Sequence, residues 1–260
     1  MAPLMYSVMW IIPFFVLSLG VMLPLMREDL GFGPIEAGLL GSAGALAPVF
    51  LAIPAALVAI RFNPKWFMTA IMGFGVVLGT AQALAPSFLF LFVSRAVFAV
   101  IQPMSRPVQD LLTLQWFPKR ELGRIVMLGL ASGNVAMTIA IGATPFIIPL
   151  VGGWRQAYLS YALLALGVML VWILLGRERR TPQYLASLAK GRERAPIKAA
   201  LRYPYFFVGG VAFMGNASPW LAIVLFWPTF LVEERGLGLE TAGVLTSFIT
   251  VGGVACALTV

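Results

Sequence analysis

Apolar residues run along this chain in long blocks separated by short polar or glycine-rich turns, and eight blocks have the length of a membrane-spanning helix: residues 5–26, 37–60, 66–85, 87–110, 124–150, 155–175, 204–231 and 240–260. Each comes close to the ~20 apolar residues that one helical crossing requires. Connections between the blocks are mostly short, so consecutive helices are expected to lie antiparallel as neighbours. One stretch departs from this pattern, the polar GRERRTPQYLASLAKGRERAPIKAALRYP from Gly176 to Pro204.

The turns contain a repeat. EDLGFGPIEAGLLGSAG begins at Glu28 and EERGLGLETAGVLTSF at Glu233; at a constant offset of 205, Glu28, Gly31, Gly33, Ala37, Gly38, Leu40 and Ser42 fall on Glu233, Gly236, Gly238, Ala242, Gly243, Leu245 and Ser247. These are the connections between spans one and two and between spans seven and eight, equivalent places in two successive six-helix halves. A repeat that keeps its topology in both copies is a signature of secondary transporters.

Composition narrows the class. The chain is 60% hydrophobic and 11% charged, with a mean hydropathy of +0.94, where soluble domains average roughly 25% charged residues. Such a chain cannot cover itself with a solvated surface and belongs in a bilayer. Its start, MAPLMYSVMWIIPFF, has neither a cationic region nor a small-residue cleavage site, so the first block is expected to remain as a span. A net charge of +8 would suggest a nucleic-acid partner in a soluble protein, but here it reflects loop bias. The connections after spans two, four and six carry thirteen Lys and Arg residues, among them Arg61, Lys65, Lys119, Arg120 and Arg124, against Arg27, Arg155 and Arg235 on the opposite side. By the positive-inside bias the basic loops and the amino terminus are cytoplasmic. The lone Cys256 can form no internal disulfide, and the absence of histidine excludes His-based metal sites, proton relays and Ser-His catalysis.

Several stretches resemble the major facilitator superfamily. LFVSRAVFAVIQPMSRPVQDLLTLQWFPKRELGR, residues 91–124, is similar to that family's fourth helix and following loop, where an arginine is followed twelve positions on by a proline and then by an aromatic pair: here Arg95, Pro107, Trp116 and Phe117. VGGWRQAY, residues 151–158, resembles the turn between helices five and six, and DLGFGPIEAGLL that between one and two. Within the superfamily, the fourth-helix stretch and the GGWRQAY turn are most similar to cyanate-permease-like and related anion carriers. The loop between helices two and three departs from the pattern: in ALVAIRFNPK, Ala56 stands for the first glycine, Ile60 for the aspartate and Asn63 for the second glycine, leaving Arg61 and Lys65 as gating candidates. The resemblance implies an all-α membrane protein with twelve helices in two six-helix halves. The chain supplies one six-helix bundle (1–175), a cytoplasmic loop (176–203) and the first two helices of a second bundle (204–260), as a truncated or fragmentary transporter would.

Arg95 lies about 12 Å deep in a core ~30 Å thick. A guanidinium there costs ~2.5–3.5 kcal/mol on insertion scales, so it is expected to face a cavity or a partner. Its fork suits an oxyanion, and the competing reading is a strut bonded to helix-end carbonyls. Arg106 and Asp110, one turn apart in the same span, are expected to form an i,i+4 pair that helps close the inner gate without touching substrate, although Arg ahead of Asp is the poorer order. Apart from Glu240 at the first position of span eight, Asp110 is the only carboxylate within a predicted span, and this scarcity of negative charge leans toward an anionic cargo. Tyr6, Trp10, Gln102, Asn134, Asn216 and Trp220 are further candidates to line the path. Span seven, with Gly215, Pro219 and Pro228, is expected to be interrupted. Gly129 and Gly133 have a close-packing spacing.

Taken together, the residues point to a secondary transporter of a small, anionic metabolite, monomeric by family habit, in the cell's inner membrane, with the bilayer and the small molecule as partners and no nucleic acid. A nontransporting relative or a nonfunctional fragment of such a transporter is the alternative. A membrane enzyme is disfavoured because no paired acids, activated nucleophile or metal-ligand set is present, and no cofactor or metal is expected.

Overall fold

The computed structural model describes residues 2–43, 58–59, 61–179 and 204–259, all of whose regular elements are helical. The first span is two helices, α1 (Ala2–Val16) and α2 (Ser18–Leu30), meeting at Leu17. α3 begins at 34 and is described to 43; the rest of span two lies outside the described residues. Then come α4 (Pro64–Ala83), α5 (Phe88–Ile101), a 3-10 turn (Gln102–Met104), α6 (Ser105–Trp116), α7 (Leu122–Val151), α8 (Trp154–Leu175), α9 (Pro204–Glu233) and α10 (Leu239–Thr259). Local chemistry sets several boundaries. Asn63 caps α4 by accepting from the Trp66 amide at 3.2 Å, with Pro64 in the first turn, and the Ser87 hydroxyl accepts from the Phe90 amide at 3.4 Å to start α5. α7 stops at Gly152, whose φ of 93° only glycine adopts freely.

Five stretches among the described residues are long and apolar enough to cross a membrane: Trp10–Leu30, Pro64–Ala83, Phe88–Trp116, Leu122–Val151 and Trp154–Leu175. Span four thus runs to Trp116 rather than ending at residue 110, because the 3-10 turn bends the chain without ending it. Span seven is not interrupted: α9 continues through Pro219 and Pro228. The interruption lies in span one, where Pro13 has no amide to donate and crowds the preceding turn. Seven residues further on, the Gly20 amide bonds the Leu17 carbonyl at 3.2 Å, a tighter turn that releases the carbonyl of Val16.

The helices alternate between two ends. At one, the glycine-loop end, lie the turns at 31–33, 84–87, 152–153 and 234–238; at the other, the basic-loop end, lie 61–63, 117–121 and 176–179. The repeat seen in sequence has a structural counterpart. Gly31 and Gly236 share a φ of 64°, the left-handed cap that ends α2 and follows α9. In both copies the glycine two residues on accepts from the alanine amide four positions later, Ala37 to Gly33 at 3.1 Å and Ala242 to Gly238 at 3.0 Å, and both alanines are buried.

The core of the first half joins α1, α2, α4, α5, α7 and α8 through Phe14, Phe15, Phe98, Tyr158 and Tyr161, and Val224 and Leu225 of α9 belong to the same cluster. The outside is apolar: Leu150, Leu174, Leu163 and Phe248 all stand exposed. Apolar surface on this scale is at home against acyl chains and not in water.

Candidate functional site

Among the described residues, two seams join α9 and α10 to the first half. In the first, α2 meets α9. Gly20 faces the backbone of Leu225 so closely that an added Cβ would collide with it, standing 2.9 Å from the Leu225 Cα. Alongside, the Thr229 hydroxyl donates to the Gly20 carbonyl at 3.4 Å. At the rim, Arg27 Nη1 contacts both Glu233 oxygens at 2.5 and 2.6 Å. In the second seam α7 meets α10: a Cβ on Gly243 would strike the Pro145 ring, one on Gly142 would press against Ser247 at 3.3 Å, and Thr138 and Thr250 share a hydrogen bond of 2.8 Å. Small residues let helix backbones approach this closely in a membrane. Of the two glycines singled out for such packing, Gly129 fits, with the Tyr6 ring 3.3 Å from its would-be Cβ; Gly133 does not, having nothing within 4 Å.

Beside Arg27, the Asp29 carboxylate ties the first half to itself. It accepts from Arg155 Nη2 at 2.7 Å and from the Trp154 indole at 3.1 Å, while Arg155 Nη1 reaches the Ala85 carbonyl at 2.6 Å. Neighbouring charges on one helix end therefore have different tasks, one within a half and one between halves.

Arg95 is 2% exposed and faces no lipid. Its Nη1 donates to the Phe15 carbonyl at 2.7 Å and its Nη2 to that of Val16 at 3.2 Å, and the Tyr158 hydroxyl adds a bond to Phe15 at 3.3 Å. These are the carbonyls at the break in span one. The geometry is that of the strut foreseen as the competing reading, with the guanidinium satisfying backbone groups that the broken helix leaves open. Tyr158, which completes the arrangement, carried no signal in sequence beyond its apolar setting.

The other candidates separate into three places. Gln102 lines a small apolar cavity inside the first half, among Ile11, Phe15, Met72, Phe98 and Ser105. Tyr6 and Trp10 fasten α1 to α7, Tyr6 through the Ile125 carbonyl at 3.0 Å and Trp10 through the Ser132 hydroxyl at 2.8 Å. Asn134 is half-buried on α7, and Trp220 packs against the core from α9; the side chain of Asn216 lies outside the described residues.

At the basic-loop end, Lys65 Nζ donates to the Ile173 carbonyl near the end of α8 at 3.1 Å, a cation at a helix C-terminus. Arg61 is exposed in its turn. The carboxylate of Glu178, unremarked in the sequence, accepts from the Asn63 side chain at 2.6 Å and from the Lys65 amide at 3.0 Å, and so braces the loop that lacks the family's aspartate. Arg106 and Asp110 do not form the expected ion pair: the ion pairs among the described residues are Arg27–Glu233 and Arg155–Asp29. Arg preceding Asp is the poorer order for such a pair, and the two groups stay beyond ion-pair distance. Both are exposed, and both line a second small cavity with Tyr6, Gln109 and Thr113.

A helical membrane protein whose last two helices pack closely on a larger first half through small residues is a transporter-type architecture. The chain belongs to the Major Facilitator Superfamily, whose sequence model matches residues 5–260. It is 26% identical over 254 residues to a probable sulfoacetate transporter of Cupriavidus necator, covering 91% of this chain and 58% of that protein. It is 22% identical over 237 residues to a hexuronate transporter of Bacillus subtilis, covering 88% and 55%. Among solved structures it is similar to a bacterial homolog of the human lysosomal transporter Spinster in an inward-facing, unoccupied conformation, with a TM-score of 0.78, 18% identity, and coverage of 99% of this chain and 60% of that one. The chain thus spans somewhat more than half the length of the proteins it matches.

Proposed function

We propose that this protein is a secondary transporter that carries a small organic anion by rocking its two halves about a central passage. The observation that supports this reading is the close fit of the halves along two seams, Gly20 against Leu225 and Gly243 against Pro145, built of small residues that allow helices to pack closely and part. The loop-charge bias makes the basic-loop end and the amino terminus cytoplasmic, in the inner membrane of a cell. Sulfoacetate and hexuronate, which name two of its relatives, are both anions, and the scarcity of carboxylates within its spans favours an anion as cargo. Of the residues expected to meet substrate, Arg95 serves instead to pin the break in span one, because an anion could engage its Nη donors only by displacing the bonds to Phe15 and Val16. Lys65 and Arg61 belong to the inner gate. The protein works as a monomer and performs no chemistry on its cargo.

Uptake of radiolabelled galacturonate and sulfoacetate into proteoliposomes containing the full-length protein tests this reading. Accumulation above protein-free liposomes for at least one of the two is expected. Equal counts with and without folded protein, for both of these anions and for a wider panel of organic acids, would overturn it.

A further inference from the structure

Close to the break in span one, two buried groups have polar atoms without partners among the described residues. Gln82, near the end of α4, is 0% exposed, and neither its Nε2 nor its Oε1 is hydrogen-bonded; the Nε of Arg95, a residue 2% exposed, is not bonded either. An unpaired amide in so dry a place destabilises the state that holds it, and by the same amount favours any state that pairs it. Packing sets the two groups at nearly one height. A Cβ on Gly75 would stand 3.9 Å from the Phe98 ring, and α4 and α5 run antiparallel; seven residues on from Gly75 and seven back from Phe98, Gln82 comes level with Leu91, one turn from Arg95. Gly73 likewise meets Met169 of α8, which brings Gln82 level with Ser160, two residues from Tyr158. Gly79, three residues before Gln82 and on the same face of α4, would drive a Cβ into the ring of Phe15. Phe15 is the residue whose carbonyl Arg95 and Tyr158 hold.

The break also divides span one by what each part grips. α1 is fastened to α7 through Tyr6 and Trp10, whereas α2 lies against α9 at Gly20. Parting α2 from α9 while α1 keeps its bonds requires a swing at Leu17, and the carbonyls of Phe15 and Val16 stand at that joint. Arg95 then loses one or both of them. Its guanidinium has no carboxylate within ion-pair distance among the described residues, so in a membrane interior it requires another acceptor. We infer that Gln82 is that acceptor: its side-chain carbonyl takes over the Arg95 guanidinium as α2 swings away from α9, and the exchange is a two-position switch for the α2–α9 seam. With span one bent, Arg95 serves the backbone and the Gln82 amide is spare; with the seam parted, Gln82 is paired and the two carbonyls rejoin the helix. Gln82 meets no cargo and is a positioning residue. The switch rests on the transport reading above, for which it supplies a step in the parting of the halves, but its test needs no transport.

Labelling of Thr229→Cys by a membrane-impermeant maleimide, in a Cys256→Ser background of the full-length protein in liposomes, reads how often the seam is open. Gln82→Met, close in size but without the amide, is expected to lower the rate about tenfold, the loss of one hydrogen bond to a charged group. Its thermal midpoint should be level with the parent's or higher, because the amide it removes is unpaired when the seam is shut. Gln82→Glu, a stronger acceptor for a guanidinium, should raise the labelling rate about tenfold. Both shifts should vanish in an Arg95→Ala background; should that background not fold, the opposite signs of Gln82→Met and Gln82→Glu decide alone. An unchanged rate or a lowered midpoint in Gln82→Met, or equal shifts with and without Arg95, would overturn the switch. The expected shifts in a protein that takes up no organic acid would leave the switch standing and remove the transport reading alone.

Discussion

Among the described residues, the two ends of the bundle are built on different principles. At the glycine-loop end the halves meet through absences: Gly20, Gly142 and Gly243 have no side chain where a backbone, a serine or a proline ring must fit, and one ion pair, Arg27–Glu233, closes the rim. At the basic-loop end the charges turn inward on the first half or stand unpaired, with Lys65 and Glu178 bracing the 61–65 turn and Arg106 and Asp110 lining a cavity. Close fit forms one end and polar chemistry the other. A seam made of small residues and a few weak polar contacts can shut tightly and still part, since none of its bonds is individually strong.

The largest expected effect comes from filling the fit. Gly20→Ala places a methyl group against the Leu225 backbone, which cannot rotate away as a side chain would. Overpacking of this sort costs about 1–3 kcal/mol. It should raise the labelling rate of a cysteine placed at Thr229 by a membrane-impermeant maleimide tenfold or more, in a Cys256→Ser background. An unchanged rate would mean that the α2–α9 seam does not govern access from that end.

Next is the pin between the ends. Arg95→Ala leaves the Phe15 and Val16 carbonyls buried with fewer donors, a loss of roughly 1–3 kcal/mol per unsatisfied group. Thermal unfolding in detergent should show a clear fall in midpoint, smaller for Arg95→Lys, which keeps one donor. A variant as stable as the parent would show that the break in span one holds without it.

Smaller still is the rim. Arg27 and Glu233 are 21% and 38% exposed at their side chains, and ion pairs this open contribute about 0.2–1 kcal/mol. Arg27→Gln should therefore raise labelling at the Thr229 position by no more than about fivefold, and the exchange Arg27→Glu with Glu233→Arg should restore the parent rate. The smallest change belongs to Thr138→Val, which deletes a membrane hydrogen bond worth about 0.6 kcal/mol. Labelling should rise less than threefold there, about the Boltzmann factor of that energy. Arg106→Gln, at the far end, should leave the labelling rate alone, and a rise as large as that from Gly20→Ala would erase the distinction between the ends.

Much of this could be read in the sequence. The spans follow from apolar length alone, and boundaries set by Asn63, Ser87 and Gly152 fall within a few residues of expectation because each depends on chemistry local to the turn. The echo between Glu28 and Glu233 is legible for the same reason: a left-handed cap needs glycine wherever it occurs, so Gly31 and Gly236 recur. The break in span one was harder to see. Span seven has two interior prolines and stays continuous, whereas span one breaks near Pro13, where Arg95 and Tyr158 arrive from other helices to take up the released carbonyls. A proline weakens a helix locally, but whether the helix breaks depends on what waits outside it.

The sequence by itself determined that the chain lives in a bilayer, that its helices alternate in direction, and that its loops carry a repeat, since apolar length, loop charge and backbone conformation are properties of contiguous residues. Tertiary structure alone decided that Arg95 serves the backbone, that Arg27 reaches Glu233 across the halves, and that Arg106 and Asp110 share a cavity without pairing. A charged group takes its role from whichever partner the packing brings within about 3 Å, and along this chain those partners lie as far as 206 residues apart.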